Sequence, residues 1–502
     1  MKKYLTKNNI IYISIFIIFV LWTLYEFHSG IKLLNVNKYL KMLLYFIIVL
    51  VDGLFSYFIK RAFQKEWKLE KIFLLLIIPM GLIYSTFIPL GRIHDEPQHY
   101  LRVLDITKGH LYGFLYNGDQ AAGMLPYESA DLISISTNYH ITLQNLFTKE
   151  SGVLKPLIYT QEAVYSFIFH LPQAIGVLIG NILSLPILIK GYLGRTTNFI
   201  CWLFLAYYTL KFLPFKKYAI LAIFLLPVMV QQSYSLSIDV LVHGTSLLLI
   251  SYILYLRYSE DSPKKLETKH ILFLTILSLF VSISKMVYFP ICLLLFLIPN
   301  EKFSSKKKKN LWIIAITVLF FILNVFISYE ATIFVVNTIY HTDLKGQLIR
   351  VLKNPFVFVI AFINAFRYYW FGYIIGFTTS VGTFDVHIPH LYTGFISLIL
   401  LIIGLGDYTK LKKRDNIYSL RLIVVITLMI FGVEFLAWTE YNGNVIKGVQ
   451  GRYFYPLAIP FLMVFNFKKF NINIEKYKPH LLLCVVLFDI VVVGQLFNVY
   501  LH

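Results

Sequence analysis

The chain has 502 residues, 58% of them hydrophobic and only 14% charged, with a mean hydropathy of +0.69. Lysine plus arginine number 46 against 26 for aspartate plus glutamate, a net charge of +20. This composition excludes a soluble enzyme with a single anchor, and the basic residues gather in short loops rather than in an aromatic-basic patch, which argues against nucleic acid as a partner. It describes a multi-pass protein of the cell membrane whose basic loops face the cytoplasm and meet anionic lipid headgroups. Cys201, Cys292 and Cys484 all fall inside apolar runs, so neither a disulfide framework nor a Cys-based zinc site is indicated.

Met1 to Asn9 carries three lysines and reads as cytoplasmic. Apolar runs near 9–27 and 39–59 follow, and the first lacks a small-residue cleavage site, so it reads as a retained helix. The loop Lys60 to Lys71 is basic and therefore inside. The run 71–90 then leads outward and delivers Asp95 and Glu96 to the external face. Residues 91–160 form the longest polar stretch, with His99, His110, His140 and the turn signal Asn117-Gly118-Asp119. This stretch predicts one or two surface helices and an ordered loop. Pro97 suits the first turn of a helix, and Leu101, Val103 and Leu104 carry that helix along the membrane surface to Thr107.

Further apolar runs lie near 161–187, 195–212, 217–234, 236–256, 270–286 and 287–299, broken by Pro172, Pro186, Pro214, Pro227 and Pro290. Broken segments at membrane depth imply burial in protein or a cavity. Basic tracts flank 270–299, which makes it a hairpin with an external tip at Ser284 to Tyr288. More runs occur near 311–329, 356–378, 390–406, 418–439, 453–467 and 480–500. The basic loops around Lys410 to Arg414 and Lys468 to Lys478 place Glu440 to Arg452 on the external face. Parity requires two short helices or a re-entrant one within 161–196 or 356–390. The expectation is an all-α polytopic transmembrane protein with about 13 to 15 membrane segments. It divides into an extra helix pair (1–70), a membrane core (71–467) with external loop 91–160, and a last loop and helix (468–502). No internal repeat is visible.

Charges kept at a membrane boundary default to function. Four sets qualify: Arg92, His94, Asp95, Glu96 and His99; Asp239 after Ser235-Leu236-Ser237; Lys285 in the hairpin tip; and Gln450, Arg452 and Tyr453 in Lys447-Gly448-Val449-Gln450-Gly451-Arg452-Tyr453. An acid before a helix is often only a cap, and a lone lysine often only snorkels. Arg452 suits bidentate phosphate recognition, and Gly448 and Gly451 let backbone approach a ligand. Arg195, after Gly194, reads as a phosphate contact or a headgroup anchor. His243 reads as a satisfied core histidine, Asp385 and His387 as a polar break able to reach a cavity, and Arg367 to Trp370 as an interfacial belt. The histidine spacing forms no standard zinc pattern. Acids and an arginine on one face above many helices suit transfer of a sugar from a lipid phosphate, with a carboxylate as general base and inversion at the anomeric carbon.

The motifs resemble a bacterial multi-spanning family long labelled only as a domain of unknown function and placed in the GT-C glycosyltransferase superfamily. The matching residues are Asp95-Glu96-Pro97-Gln98-His99, Leu193-Gly194-Arg195 with Asn198, Pro227 with Ser235 to Asp239, Lys285 to Tyr288 leading to Pro299, Gln347 with Asn354-Pro355, and Gly448 to Phe454 with Pro456. The resemblance runs from about residue 71 to 467. It implies a GT-C-like fold, a polyprenyl-phosphate-linked sugar as donor and a glycan or wall polymer as acceptor. By the same resemblance the catalytic acid is Asp95, with Glu96 second, and Arg452 lies near the donor phosphate. A divalent metal ion, on Asp95 and Glu96 if anywhere, is used by some superfamily members and not by others. The alternative is a transporter or flippase of a lipid-linked saccharide, against which stand the missing repeat and the one-sided charges.

Overall fold

The computed structural model describes residues 7–111, 114–116, 120–129, 138–159, 162–335, 342–383, 385–470 and 472–501. The turn signal Asn117-Gly118-Asp119 lies outside the described residues. The chain is an all-α polytopic membrane protein. In order the helices are α1 (Lys7–Leu33), α2 (Lys38–Gln64), α3 (Leu69–Phe87), α4 (Glu96–Thr107), α5 (Tyr139–Asn145), α6 (Leu171–Ile182), α7 (Ile187–Phe212), α8 (Lys217–Phe224) and α9 (Pro227–Ser233). They continue with α10 (Asp239–Tyr258), α11 (Thr268–Ser284), a 3₁₀ segment (Met286–Leu297), α12 (Lys306–Val335), α13 (Leu344–Lys353), α14 (Phe356–Thr378), α15 (His390–Leu405) and α16 (Lys413–Ala437). A 3₁₀ turn (Gly451–Leu457), α17 (Ala458–Val464) and α18 (Lys478–Tyr500) complete the chain.

Two ends of the bundle are defined by their contacts. At the lysine-rich end, Arg257 closing α10 meets Asp415 opening α16 at 2.9 Å, and Lys478 opening α18 meets Asp407 at 3.2 Å. At the other end lie Asp95, Asp239, Lys285 and Arg452. Among the described residues eight helices are long and apolar enough to cross a membrane. Among the described residues, thirteen segments run between the two ends: α1, α2, α3, α7, α8 with α9, α10, α11, the 3₁₀ segment, α12, α15, α16, the 3₁₀ turn with α17, and α18. Helix α10 forms the centre, with all but a small part of its apolar window buried.

Parity closes through two helices that begin and end at the Asp95 end. Helix α6 has His170 against His99 at its start (3.1 Å) and Asn181 bonded to Thr107 near its finish (3.2 Å). Helix α14 is long and apolar enough to cross, yet Phe358 near its start packs on Phe435 near the end of α16, Asn364 in its first half donates to Asn444 O (2.9 Å), and Gly382 just beyond it donates to Gln231 Oε1 (2.6 Å). Against α16 its Phe358 meets Phe435, and its Phe362, Phe366 and Tyr373 all meet Phe431, so it crosses α16 steeply. The belt Arg367 to Trp370 lies on this helix.

Residues 270–299 do form a hairpin. Its returning limb is the twelve-residue 3₁₀ segment Met286–Leu297. At a rise of roughly 2.0 Å per residue it extends about 24 Å, where an α-helix of that length would cover about 18 Å.

Two expectations for 91–160 are corrected. A three-stranded antiparallel sheet, β1 (Phe114–Tyr116), β2 (Gln120–Pro126) and β3 (Leu154–Ile158), stands where only helices and loop were expected. Its Ala121-Ala122-Gly123 lacks the β-branched signature of a strand. Gly123 is required there because a Cβ would come 2.7 Å from Asp105 Oδ1. Helix α4 is not a surface helix: nine of its residues are buried between the bundle and this sheet. Asp105 anchors the layer, accepting from Tyr159 Oη at 2.5 Å and meeting His110 Nδ1 at 2.9 Å.

Candidate functional site

Pro97 occupies the first turn of α4, and the preceding Asp95 adopts a left-handed backbone with φ 64°. Aspartate tolerates that conformation better than most residues, but it still costs energy. Asp95 makes no hydrogen bond to the helix amides, so it is not a cap. Its carboxylate turns to Arg452, with Nη2 to Oδ2 at 2.5 Å. The strained turn thus aims the acid across the bundle at a residue 357 positions away.

Arg452 is 6% exposed, while Asp95 is 33% exposed. Arg452 Nε also faces Asp239 Oδ2 at 3.5 Å, and Lys285 Nζ donates to Asp239 Oδ1 at 3.0 Å. Asp239 opens α10 without capping it, and Lys285 is not a snorkelling lysine: its ammonium sits between the rings of Tyr165 (5.6 Å) and Tyr453 (5.2 Å). Two acids and two cations from four distant stretches therefore form one cluster. Arg452 Nη1 has no partner among the described residues.

His94 and His99 flank the cluster. His94 Nε2 lies 3.3 Å from Asp95 Oδ1 and 2.9 Å from Gln450 Nε2. His99 meets His170 and stacks near Tyr165. Burial, reinforced at His94 by the Arg452 charge, pushes both imidazoles down to about 4, so both are neutral at pH 7. Burial raises Asp95, but the Arg452 charge and its hydrogen bond outweigh it and hold the carboxyl below its usual range. Burial likewise opposes the Lys285 charge, and Asp239 outweighs it, so Lys285 stays protonated.

Glu96 and Arg195 stand apart from this cluster. Both are fully buried, with Arg195 Nε to Glu96 Oε1 at 2.7 Å and Nη2 to Oε2 at 2.5 Å. The rest of the guanidinium donates to Ile88 O (2.8 Å) and Pro89 O (2.9 Å). Glu96 also accepts from the amides of Gly91 and Leu236 at 2.8 and 3.2 Å. Leu236 belongs to the loop before Asp239, which Gln173 and Asn198 hold through its carbonyls. Arg195 is therefore neither a headgroup anchor nor turned to the charge cluster. It is half of a clamp that fixes the Asp95 turn against the Asp239 loop. Arg92 is half-buried in that same turn, its amide bonded to Pro89 O at 3.1 Å.

Gly451 serves packing rather than ligand approach. A Cβ on Gly376 would come 2.7 Å from Gly451 N, and one on Gly451 would strike Tyr373 O and Phe377 N. That contact seats Arg452. Gln347 of α13 is buried and donates to Glu440 O at 3.2 Å, holding the start of the same loop. Asp385 does not enter a cavity; Tyr500 Oη donates to it at 2.9 Å. His243 lies edge-on to Tyr455, and its Nε2 has no partner among the described residues, so it is not a fully satisfied core histidine. Asp95 and Glu96 do not fit a shared metal, since Glu96 is closed on Arg195, and among the described residues no three His, Cys, Asp or Glu side chains converge.

Glu162 is a site-end residue that sequence reasoning misses. It is buried, and its Oε2 has no partner among the described residues. Burial, then the charge of Asp95, raises its carboxyl well above the usual range. Nothing local marks it, because it opens what reads as an apolar run. Beside Arg452 and His94 lies a cavity of about 520 Å³ between α9, α14 and the Ile446–Arg452 loop.

No curated protein and no solved structure matches this chain. One family model, described as predicted membrane protein (DUF2142), matches residues 79–461, which is most of the chain, and the chain belongs to that family.

Proposed function

We propose that this membrane protein is a glycosyltransferase of the GT-C type. It moves a sugar from a polyprenyl-phosphate donor to a cell-surface glycan or wall polymer on the external face, with inversion. The observation that carries the reading is Arg452: buried, anchored by Asp95 and Asp239, beside a cavity and with Nη1 without a partner among the described residues. A fixed guanidinium with a spare donor is suited to a phosphate oxygen. The external assignment is supported by the lysine-rich opposite end, as cytoplasmic loops are enriched in lysine and arginine.

In this reading the acceptor hydroxyl attacks the anomeric carbon opposite the phosphate. The C–O bond to phosphate breaks, and its electron pair leaves with the polyprenyl phosphate, whose added charge Arg452 and Lys285 stabilise. The hydroxyl proton passes to Asp95. A carboxylate held low by Arg452 is a weak base at first. As charge builds on the departing phosphate it offsets the guanidinium's charge, the hold on Asp95 weakens, and Asp95 gains basicity when the proton must move. Glu96 has no part in the chemistry; it holds the turn. No step is routed through a metal ion.

The test is surface glycan composition in a deletion strain complemented with wild type, Asp95→Asn or Arg452→Ala, with membrane levels of each protein checked. Loss of one sugar substituent that neither variant restores, while its lipid-linked donor persists, supports the reading. Full restoration by Asp95→Asn removes Asp95 as base. Accumulation of finished polymer inside the cell favours a transporter instead.

A further inference from the structure

The cavity beside Arg452 has a wall whose chemistry is not that of phosphate. Its lining includes Gln231, Gln232, Gln450, Ser380, Tyr369 and Tyr373, interleaved with glycines. Among the described residues no carboxylate lines it. Its cations already face carboxylates, and among the described residues Arg452 keeps only the Nη1 donor that the donor phosphate would take. Arg452 faces Asp95 and Asp239, and Lys447 meets Glu440 at 2.8 Å.

Gln232 is 2% exposed, and its Oε1 has no partner among the described residues. A buried carboxamide oxygen left so is an acceptor set for a donor that arrives with a ligand. Its neighbour Gln231 is oriented by Gly382 N–H, which bonds Oε1 at 2.6 Å and leaves the amide N–H groups to donate. An acceptor on Gln232 and a donor on Gln231, on consecutive residues of α9, suit separate hydroxyls of one ring, and tyrosines in the lining suit the C–H faces of a sugar.

Resting on the transferase reading above, we infer that this cavity is the glycosyl subsite and that it takes a neutral monosaccharide, not a uronic acid or a phosphorylated sugar. A second anion would find no unmatched cation here, and its burial unpaired would be costly.

The test uses the full-length protein in nanodiscs and calorimetric titration. The probes are farnesyl phosphate, farnesyl phosphates carrying glucose, galactose or N-acetylglucosamine, and one carrying glucuronic acid. At least one neutral sugar is expected to tighten binding about tenfold or more over farnesyl phosphate, and glucuronic acid is expected to add nothing. Gln232→Leu should erase that gain while leaving farnesyl phosphate affinity unchanged, which also reports that the variant is folded; Ser380→Ala should reduce the gain and serves if Gln232→Leu does not fold. The assignment is overturned if no neutral sugar improves on farnesyl phosphate, if glucuronic acid gains equally, or if the gain survives both substitutions. If farnesyl phosphate does not bind, or binds Arg452→Ala equally well, the transferase reading itself fails and takes this assignment with it.

Discussion

Replacing Arg195 with methionine tests whether the Glu96–Arg195 pair is a clamp. Methionine keeps much of the side-chain length and loses the charge and every donor. The two groups are both 0% exposed, so solvent screening does not soften the loss. Removing one partner of a buried pair leaves the other charge uncompensated and costs about 3–5 kcal/mol. The carbonyls of Ile88 and Pro89 lose donors as well, while Gly91 and Leu236 still bond Glu96. Spread over the unfolding entropy of a chain this long, the loss lowers the melting temperature by roughly 3–5 °C. The assay is thermal denaturation of detergent-solubilised protein, followed by tryptophan fluorescence, for wild type, Arg195→Met, Glu96→Gln and the double variant. The double variant should melt above Arg195→Met, because the stranded charge is gone. If Arg195→Met melts within about 1 °C of wild type, or the two losses simply add, the pair is not the clamp described.

The other expectations concern the charge cluster and its supports. Asp95→Asn should lower transfer from the lipid-linked donor about 10²–10⁴-fold with little change in melting temperature, whereas Glu96→Gln should act mainly on stability. Arg452→Lys keeps the charge but not the fork between Asp95 and Asp239, so donor affinity should fall and Arg452→Ala should fall further, read by titration with farnesyl phosphate. Gly451→Ala should reduce folded yield through its collision with α14, and Gly376→Ala should do the same, both measured by gel-filtration profile. The folded state holds His94 and His99 neutral down to about pH 4, while unfolded histidines take up a proton near pH 6.5. Between those values the unfolded chain binds more protons, so stability should decline as pH falls from about 6.5 to about 4. His99→Asn should flatten part of that slope in a series of melting curves.

The sequence made the membrane body legible because hydropathy and basic loops act at the scale of whole segments. It also separated the charged residues at the Asp95 end, since each is expensive there and few exist. Which of them act together was hidden. Asp95, Asp239, Lys285 and Arg452 lie far apart in the chain, and only the fold brings them into one cluster. Adjacent Asp95 and Glu96 look equivalent in one dimension, yet a single left-handed residue sends them to different partners. The sheet escaped because its strands are short and lack β-branched residues in β2. The path of α14 escaped because an apolar run of 23 residues reads as a crossing unless its contacts are known.

The 3₁₀ limb follows directly on Lys285, and five residues beyond its other end Lys302 O accepts from Leu266 N at 2.8 Å. A segment wound at three residues per turn is a stretched spring relative to the α form. Rewinding its twelve residues would shorten it by about 6 Å and turn its tip through most of a revolution. Lys285 would then leave Asp239, and Arg452 would be left as that acid's remaining counter-charge. The length of this one pass would thus bear on the charge balance of the site, and Pro290 within the limb lacks the N–H that a rewound α-helix would use there.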